Sequence, residues 1–174
     1  IEGIASRLYF SAYAAGFGKG IEFKGRERRP PKDPVNSLLS LGYTFLFSNV
    51  FSIINMVGLD PYLGCYHTVD YGRPSLALDL MEEWRPVIVD ALVLSVFNLK
   101  VLNEEDFTES EDGLFLSQDA LRKFIVQFER KMGERVTHPF RETKIRYRSY
   151  IEAQVRSFVH VLRDEDTYKA AVFR

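Results

Sequence analysis

Residues 33–58 read DPVNSLLSLGYTFLFSNVFSIINMVG, and this stretch decides the fold class. Asp33 offers a side-chain oxygen to the free amides of a helix start. Pro34 suits the first helical position, where its missing N–H would have no partner anyway. Gly58 takes the left-handed conformation that ends a helix. No charged residue occurs from Val35 to Leu59, a length that could cross a bilayer. Yet Asn36, Ser37, Ser40, Ser48, Asn49, Ser52 and Asn55 are scattered along it, and each is costly in lipid. The spacing predicts the central buried helix of a bundle, with no membrane contact.

Toward the carboxyl end, LDPYLGCYHTVDYGRP (59–74) is a Pro/Gly loop, after which Ser75 is a natural cap for a helix. That helix turns Leu76, Leu80, Trp84, Ile88 and Ala91 toward the core. Pro86 removes the amide that the Glu82 carbonyl would use, so a kink beside Glu82 is expected. The kink either aims the Glu82 side chain toward His67 or only bends the helix around the core. FTESEDGLFLS (107–117) suggests a short hairpin around Asp112-Gly113. A helix then runs from about Ser117 to Met132, and another from Phe140 to about Leu162, before a short last helix or a frayed tail.

Toward the amino end, GKGIEFKGRERRPPKDP (18–34) belongs to a basic loop over 17–33. Before it, Ile1, Ala5, Leu8, Ala12 and Ala15 form one helical stripe. The expected fold class is all-α: a multi-helix catalytic bundle with at most a short hairpin near 107–116. The chain begins inside a helix at Ile1, so it reads as a fragment whose amino-terminal part is missing, with residues 1–174 as one helical domain. A formal net charge of -1 excludes a global polyanion-binding surface, so any cations that grip nucleic acid must be clustered. A lone cysteine, Cys65, excludes an internal disulfide and suits a reducing compartment.

Residues able to carry chemistry gather around the 59–74 loop. Asp79 and Glu82 follow His67 by twelve and fifteen residues, and their three-residue spacing puts them on one helix face. The Gly72-Arg73-Pro74 turn lets His67 fold back over that helix. A third carboxylate, Glu2, opens the first helix. Carboxylates with one imidazole make a mixed oxygen and nitrogen set suited to Mn²⁺ or Mg²⁺. The same residues also read as a solvated helix face and an ordinary loop histidine; His138 and His160 lack comparable acid company and read as structural. Lys24, Arg26, Arg28, Arg29 and Lys32 form either a phosphate grip or a solvated linker. Arg141, Lys144 and Arg148 share the stripe that Ile151, Val155, Phe158 and Leu162 continue. They either snorkel past a neighbouring helix or line an anion cleft.

The ordered series IEG, FKGRERRPPKDPVNSLLSLGY, GLDPYLGCYH and GRPSLALDLMEEWRP resembles the CRISPR-associated adaptation integrases, the Cas-one family, from Ile1 to about Asn98 and more loosely to Tyr150. The resemblance implies a metal-dependent DNA endonuclease and integrase that inserts new spacers into a CRISPR array by transesterification, in antiviral defence. It implies metal ligands at Glu2, His67 and Glu82, with Asp79 as a possible additional acid. It also implies Mn²⁺ or Mg²⁺ as cofactor, double-stranded and branched DNA as substrate, and a prokaryotic cytoplasmic setting. An amino-terminal β-domain, absent here, precedes the helical domain in that family. The intact protein would be a homodimer, two of which flank a small Cas-two family partner. The alternative is a non-catalytic helical module that binds DNA or a partner.

Overall fold

A computed structural model describes residues 2–18, 20–27, 30–137, 143–171 and 173, with Glu2 as a backbone position only. The fold class is all-α. The elements are α1 (Glu2–Ala14), α2 (Pro34–Val57), α3 (Ser75–Met81), α4 (Ala91–Asn98), α5 (Gln118–Gly133) and α6 (Tyr147–Leu162). Two antiparallel hairpins accompany them: β1 (Phe107–Ser110) with β2 (Gly113–Leu116), and β3 (Arg135–Thr137) with β4 (Lys144–Arg146). The chain divides into two compact units, Ile1–Gly42 with Val89–Glu129, and Tyr43–Ile88 with Arg130–Arg174.

α2 starts and stops where its sequence dictates. Asp33 Oδ1 accepts the Asn36 amide at 2.8 Å, which caps the amino end. At the other end Gly58 has φ +87°, and the Leu59 and Gly58 amides close onto the Ile54 and Asn55 carbonyls at 3.1 Å each. That pair of bonds is a Schellman motif, satisfying carbonyls a helix end leaves orphaned. Val35, Leu38, Leu39, Leu46, Val50 and Ile54 are fully buried at helical spacing. On other faces Ser48, Asn49, Ser52 and Asn55 bond to carbonyls four residues back. By length and composition α2 could cross a membrane; the buried stripe instead makes it a core helix.

The first unit is organised around Asn36, which is fully buried. Its side chain accepts from the Glu27 amide and from Arg26 Nη1, and donates to the Gly25 carbonyl and to Asp33 Oδ2. All four of its hydrogen-bonding valences are thereby filled, and the described part of the basic loop is pinned to α2. Phe23 sinks beside Phe10, Tyr13 and Phe17, ring centroids 5.7–6.1 Å away. Here the α1 stripe expected from sequence is corrected: Ala5, Leu8 and Ala12 are exposed, and the aromatic face carrying Phe10 and Tyr13 is the packed one. Tyr9 reinforces it by donating to Asp90 Oδ2 at 2.5 Å, as does Tyr13 to the Asp90 carbonyl at 2.9 Å. A ring buries more area per residue than an alanine, so the aromatic face wins.

The break beside Glu82 is present. α3 ends at Met81, a 3₁₀ turn spans Glu82–Trp84, and a π-helical stretch spans Arg85–Asp90. Pro86 has no N–H and its ring crowds the preceding turn, so the regular ladder cannot continue through it. The wider π turn also shifts the phase of α4. Leu76, Leu80, Trp84 and Ile88 are buried as expected, but Ala91 is exposed and Leu92, Val93, Val96 and Phe97 take the inner side.

The hairpin around Asp112-Gly113 forms, and α5 begins after Ser117, whose hydroxyl receives the Ala120 amide at 3.4 Å. The second hairpin departs from the expected long helix. Lys144–Arg146 pair with Arg135–Thr137, the Tyr147 amide closes onto the Glu134 carbonyl at 3.1 Å, and α6 starts only at Tyr147. Lys144 and Arg148 are both exposed, so they are not inward-facing cations; Arg141 lies outside the described residues, as does His138. After α6 the described residues make neither a helix nor a frayed end. Residues 167–171, with Phe173, form an irregular strap whose Tyr168 hydroxyl and Ala171 amide donate to the Glu83 carboxylate.

Replacing Asn36 with alanine strips partners from two charged and two neutral groups in a part-buried setting. The expected loss is about 2–4 kcal/mol, read as a lowered urea midpoint with an unchanged slope. Wild-type stability in that variant contradicts the pinning role.

Candidate metal centre

The 59–74 loop is fastened onto the start of α3. The Pro61 carbonyl accepts the Leu76 amide at 3.0 Å, and the buried Ser75 hydroxyl donates to the Thr68 carbonyl at 3.0 Å. Ser75 therefore does not cap the helix with its own oxygen, as the sequence suggested; a loop carbonyl serves one of the orphan amides. At Gly64 the loop runs so close that a Cβ would meet Ser75 Cβ at 2.5 Å and Asp79 Oδ2 at 3.0 Å. Only glycine fits that approach.

Asp79 holds the other side of the loop. Its Oδ2 accepts the amides of Cys65 and Tyr66 at 2.6 and 2.9 Å, and its Oδ1 accepts the His67 amide at 2.8 Å. The same Oδ1 lies 2.6 Å from His67 Nδ1. Burial pushes the Asp79 carboxyl up, but the Tyr66 and His67 amides, the His67 ring and the Cys65 amide together outweigh it. The group is held below the ordinary carboxylate range. An ionised carboxylate only accepts, so Nδ1 is the donor and the lone pair of the neutral ring sits on Nε2. That tautomer, with its other nitrogen fixed by a carboxylate, is the form in which histidines ligate metals.

Glu82 opens the 3₁₀ turn, with its side chain 41% exposed and Oε1 2.5 Å from Arg85 Nη1. The Arg85 guanidinium sits 4.6 Å from the Tyr43 ring centroid, a cation–π contact that fixes the cation's place. The structure thus joins His67 to Asp79 and gives Glu82 to Arg85. The Glu2 side chain lies outside the description. Among the described residues no three His, Cys, Asp or Glu side chains gather as an ion cage. In kind, the donors still fit a divalent ion: one imidazole nitrogen left with its lone pair, and a partly exposed carboxylate. Sequence reasoning passed over Arg85, although its three-residue spacing from Glu82 signalled an ion pair.

The cations proposed for phosphate binding are dispersed in role. Arg26 is spent on Asn36, Ser40 and the Glu27 carbonyl. Lys24 pairs with Glu22 at 2.9 Å, and Lys32 stands 4.0 Å from Glu27. Lys24 and Lys32 line a cleft of about 510 Å³, but Glu22, Glu27, Asp33 and Glu104 line it too, so its described walls carry more acid than base. Arg28 and Arg29 lie outside the described residues.

Two substitutions test the loop clamp. Asp79→Asn leaves one acceptor oxygen for donors that now share two, and is expected to cost about 1–3 kcal/mol in urea unfolding. Gly64→Ala forces Cβ into Ser75 and is expected to cost a similar ~1–3 kcal/mol. Parent-like stability for both would show that the loop is not held this way.

The family model described as "CRISPR associated protein Cas1" matches residues 1–130. A CRISPR-associated endonuclease Cas1 of Thermus thermophilus is 45% identical over 174 residues, covering 99% of this chain and 52% of that protein. Among solved structures, a casposase bound to its integration product superposes with a TM-score of 0.86 at 27% identity, over 95% of this chain and 47% of that one. A chain of a Cas6-RT-Cas1–Cas2 complex gives 0.83 at 26% identity, over 99% of this chain and 19% of its own length. The chain spans about half the length of that Thermus relative. With a match over residues 1–130 of 174, the chain belongs to the CRISPR-associated Cas1 family.

Proposed function

We propose that this chain is the helical catalytic part of a divalent-metal-dependent DNA endonuclease and integrase that inserts new spacers into a CRISPR array. The observation that carries the reading is the His67–Asp79 pair, in which Nδ1 is engaged and the Nε2 lone pair is left to accept a metal. Family membership and the likeness to a casposase bound to an integration product support it.

The ligands in this reading are Glu2, His67 and Glu82. Asp79 acts as the residue that orients His67, since each of its oxygens already serves two donors. Mn²⁺ or Mg²⁺ held there supplies Lewis-acid neutralisation of the phosphate's developing charge. The chain's own part is to fix the imidazole tautomer and to present the Glu82 carboxylate from a short turn. In the reaction a DNA 3′-hydroxyl gives up its proton and its oxygen bonds to phosphorus, while the original ester oxygen departs as the new 3′-hydroxyl. One ester replaces another, so no nucleotide cofactor is required. Lys24, Lys32, Lys144 and Arg148, with Arg28, Arg29 and Arg141, contact flanking DNA backbone; Arg26 has its role inside the loop. Double-stranded and branched DNA are the substrates. The intact protein works as a homodimer; the small Cas2 partner in this reading accords with the match to a chain of a Cas6-RT-Cas1–Cas2 complex.

A strand-joining and disintegration assay on branched DNA with Mn²⁺, run on the full-length protein, decides the matter. His67→Ala and Glu82→Ala are each expected to lower the rate at least about a hundredfold, since a lost ligand removes several kcal/mol of charge stabilisation. Their affinity for branched DNA should stay near that of the parent. Joining by both variants at the parent rate overturns the assignment, and a parent inactive with every divalent ion favours a binding module.

A further inference from the structure

The 3₁₀ turn Glu82–Trp84 is a short piece of helix with poor internal bonding, so its geometry depends on what holds it from outside. Two of its three residues are held by the same segment. Glu83, on the turn, receives the Tyr168 hydroxyl and, at 2.7 Å, the Ala171 amide. Trp84, also on the turn, meets the Phe173 ring edge-on at 5.7 Å. Gln154 of α6 ties both sides together, its Nε2 3.2 Å from Glu83 Oε2 and 3.0 Å from the Lys169 carbonyl. Gln154 is buried, so these bonds are shielded from competing water. Glu83 is thus a carboxylate spent on a non-local strap and on the α6 side chain that braces it, directly beside the proposed ligand Glu82. All of these residues belong to the second unit.

We infer that the strap of residues 167–171 and Phe173 is a positioning element for the metal centre: through Glu83 and Trp84 it sets the turn that presents Glu82. This rests on the ligand reading of Glu82 proposed for the site. The strap residues touch no reacting atom in this scheme; Glu83 and Tyr168 are positioning residues. A turn released from the strap can relax toward the α-helix on one side or the π-helix on the other. Either change rotates Glu82 about the helix axis. A ligand displaced by a fraction of a turn loses affinity without loss of charge, which a purely structural strap would not cause.

The test is Mn²⁺ titration by isothermal calorimetry without DNA, on the full-length protein and its Glu82→Ala, Glu83→Gln and Tyr168→Phe variants. Thermal midpoints in chelator are measured alongside. Tyr168→Phe keeps the ring against Phe158 and removes only the donor, so it is the milder change. Expected are a loss of at least tenfold in Mn²⁺ affinity for Glu82→Ala and a three- to tenfold loss for Glu83→Gln and Tyr168→Phe. Affinity for branched DNA should be unchanged in the last two. If Glu82→Ala weakens the metal but both strap variants bind it like the parent, whatever their thermal midpoints, the strap is only structural and the inference falls. If Glu82→Ala itself binds like the parent, the ligand reading fails and takes this inference with it.

Discussion

A single carboxylate, that of Asp79, gathers three consecutive backbone amides and an imidazole from a loop that has no regular secondary structure to hold it. Pro61 and Gly64 interrupt residues 59–74 before His67, and the amides there have no ladder to join. Left to themselves such amides bond to water and the loop samples many shapes, at a conformational cost of about 1–2 kcal/mol per residue to fix. Asp79 sits one turn into a helix whose face is already set by buried Leu76 and Leu80. The core thus fixes the helix, the helix fixes the carboxylate, and the carboxylate fixes the loop. His67 inherits its place and its tautomer from that chain of dependence, which is why burial of a charge is tolerated there.

The second constraint comes from Pro86. It turns what would be one helix from residue 75 to 98 into four short pieces of different pitch. Glu82 and Glu83 fall on the tightest of these, and neighbouring acids there face different ways. Glu82 meets Arg85, and Glu83 meets the strap. Two carboxylates adjacent in sequence therefore have unrelated jobs, one facing partly into solvent and one absorbed into the fold.

Much of this was legible in the residues and some was not, for reasons that differ. The limits of α2 were readable because Asp33, Pro34 and Gly58 act within a turn of where they stand. The break near Glu82 was readable because proline's missing N–H is a local fact. Three other features depend on partners far off in sequence. Lys144–Arg146 form a strand only because Arg135–Thr137 lie alongside, and nothing in KIR itself separates strand from helix. The inner face of α1 is chosen by Phe17, Phe23 and Asp90, beyond the helix's own periodicity. Arg26 looked like one more cation in a basic loop until a buried asparagine claimed it. At the site, the spacing put Asp79 and Glu82 on one helix face near His67, but among the described residues His67 meets Asp79 while Glu82 meets Arg85. The spacing did not announce that Asp79 would be consumed in holding the loop, because that depends on how the Cys65, Tyr66 and His67 amides fold back, as well as on the His67 ring.

The π-helical stretch at Arg85–Asp90 has a bearing on descent as well as on packing. It accommodates about one residue more per turn than its surroundings, and the buried sets before and after it, ending at Ile88 and resuming at Leu92, are phased by that surplus. A cousin of this protein that dropped one residue between Arg85 and Asp90 would run an ordinary helix here and still turn Leu92 and Val93 inward, because the residue lost is the surplus that the π turn absorbs. A one-residue gap at this point would therefore trade the π turn for an α turn with the buried faces kept, whereas the same gap within α4 would turn them by about a hundred degrees.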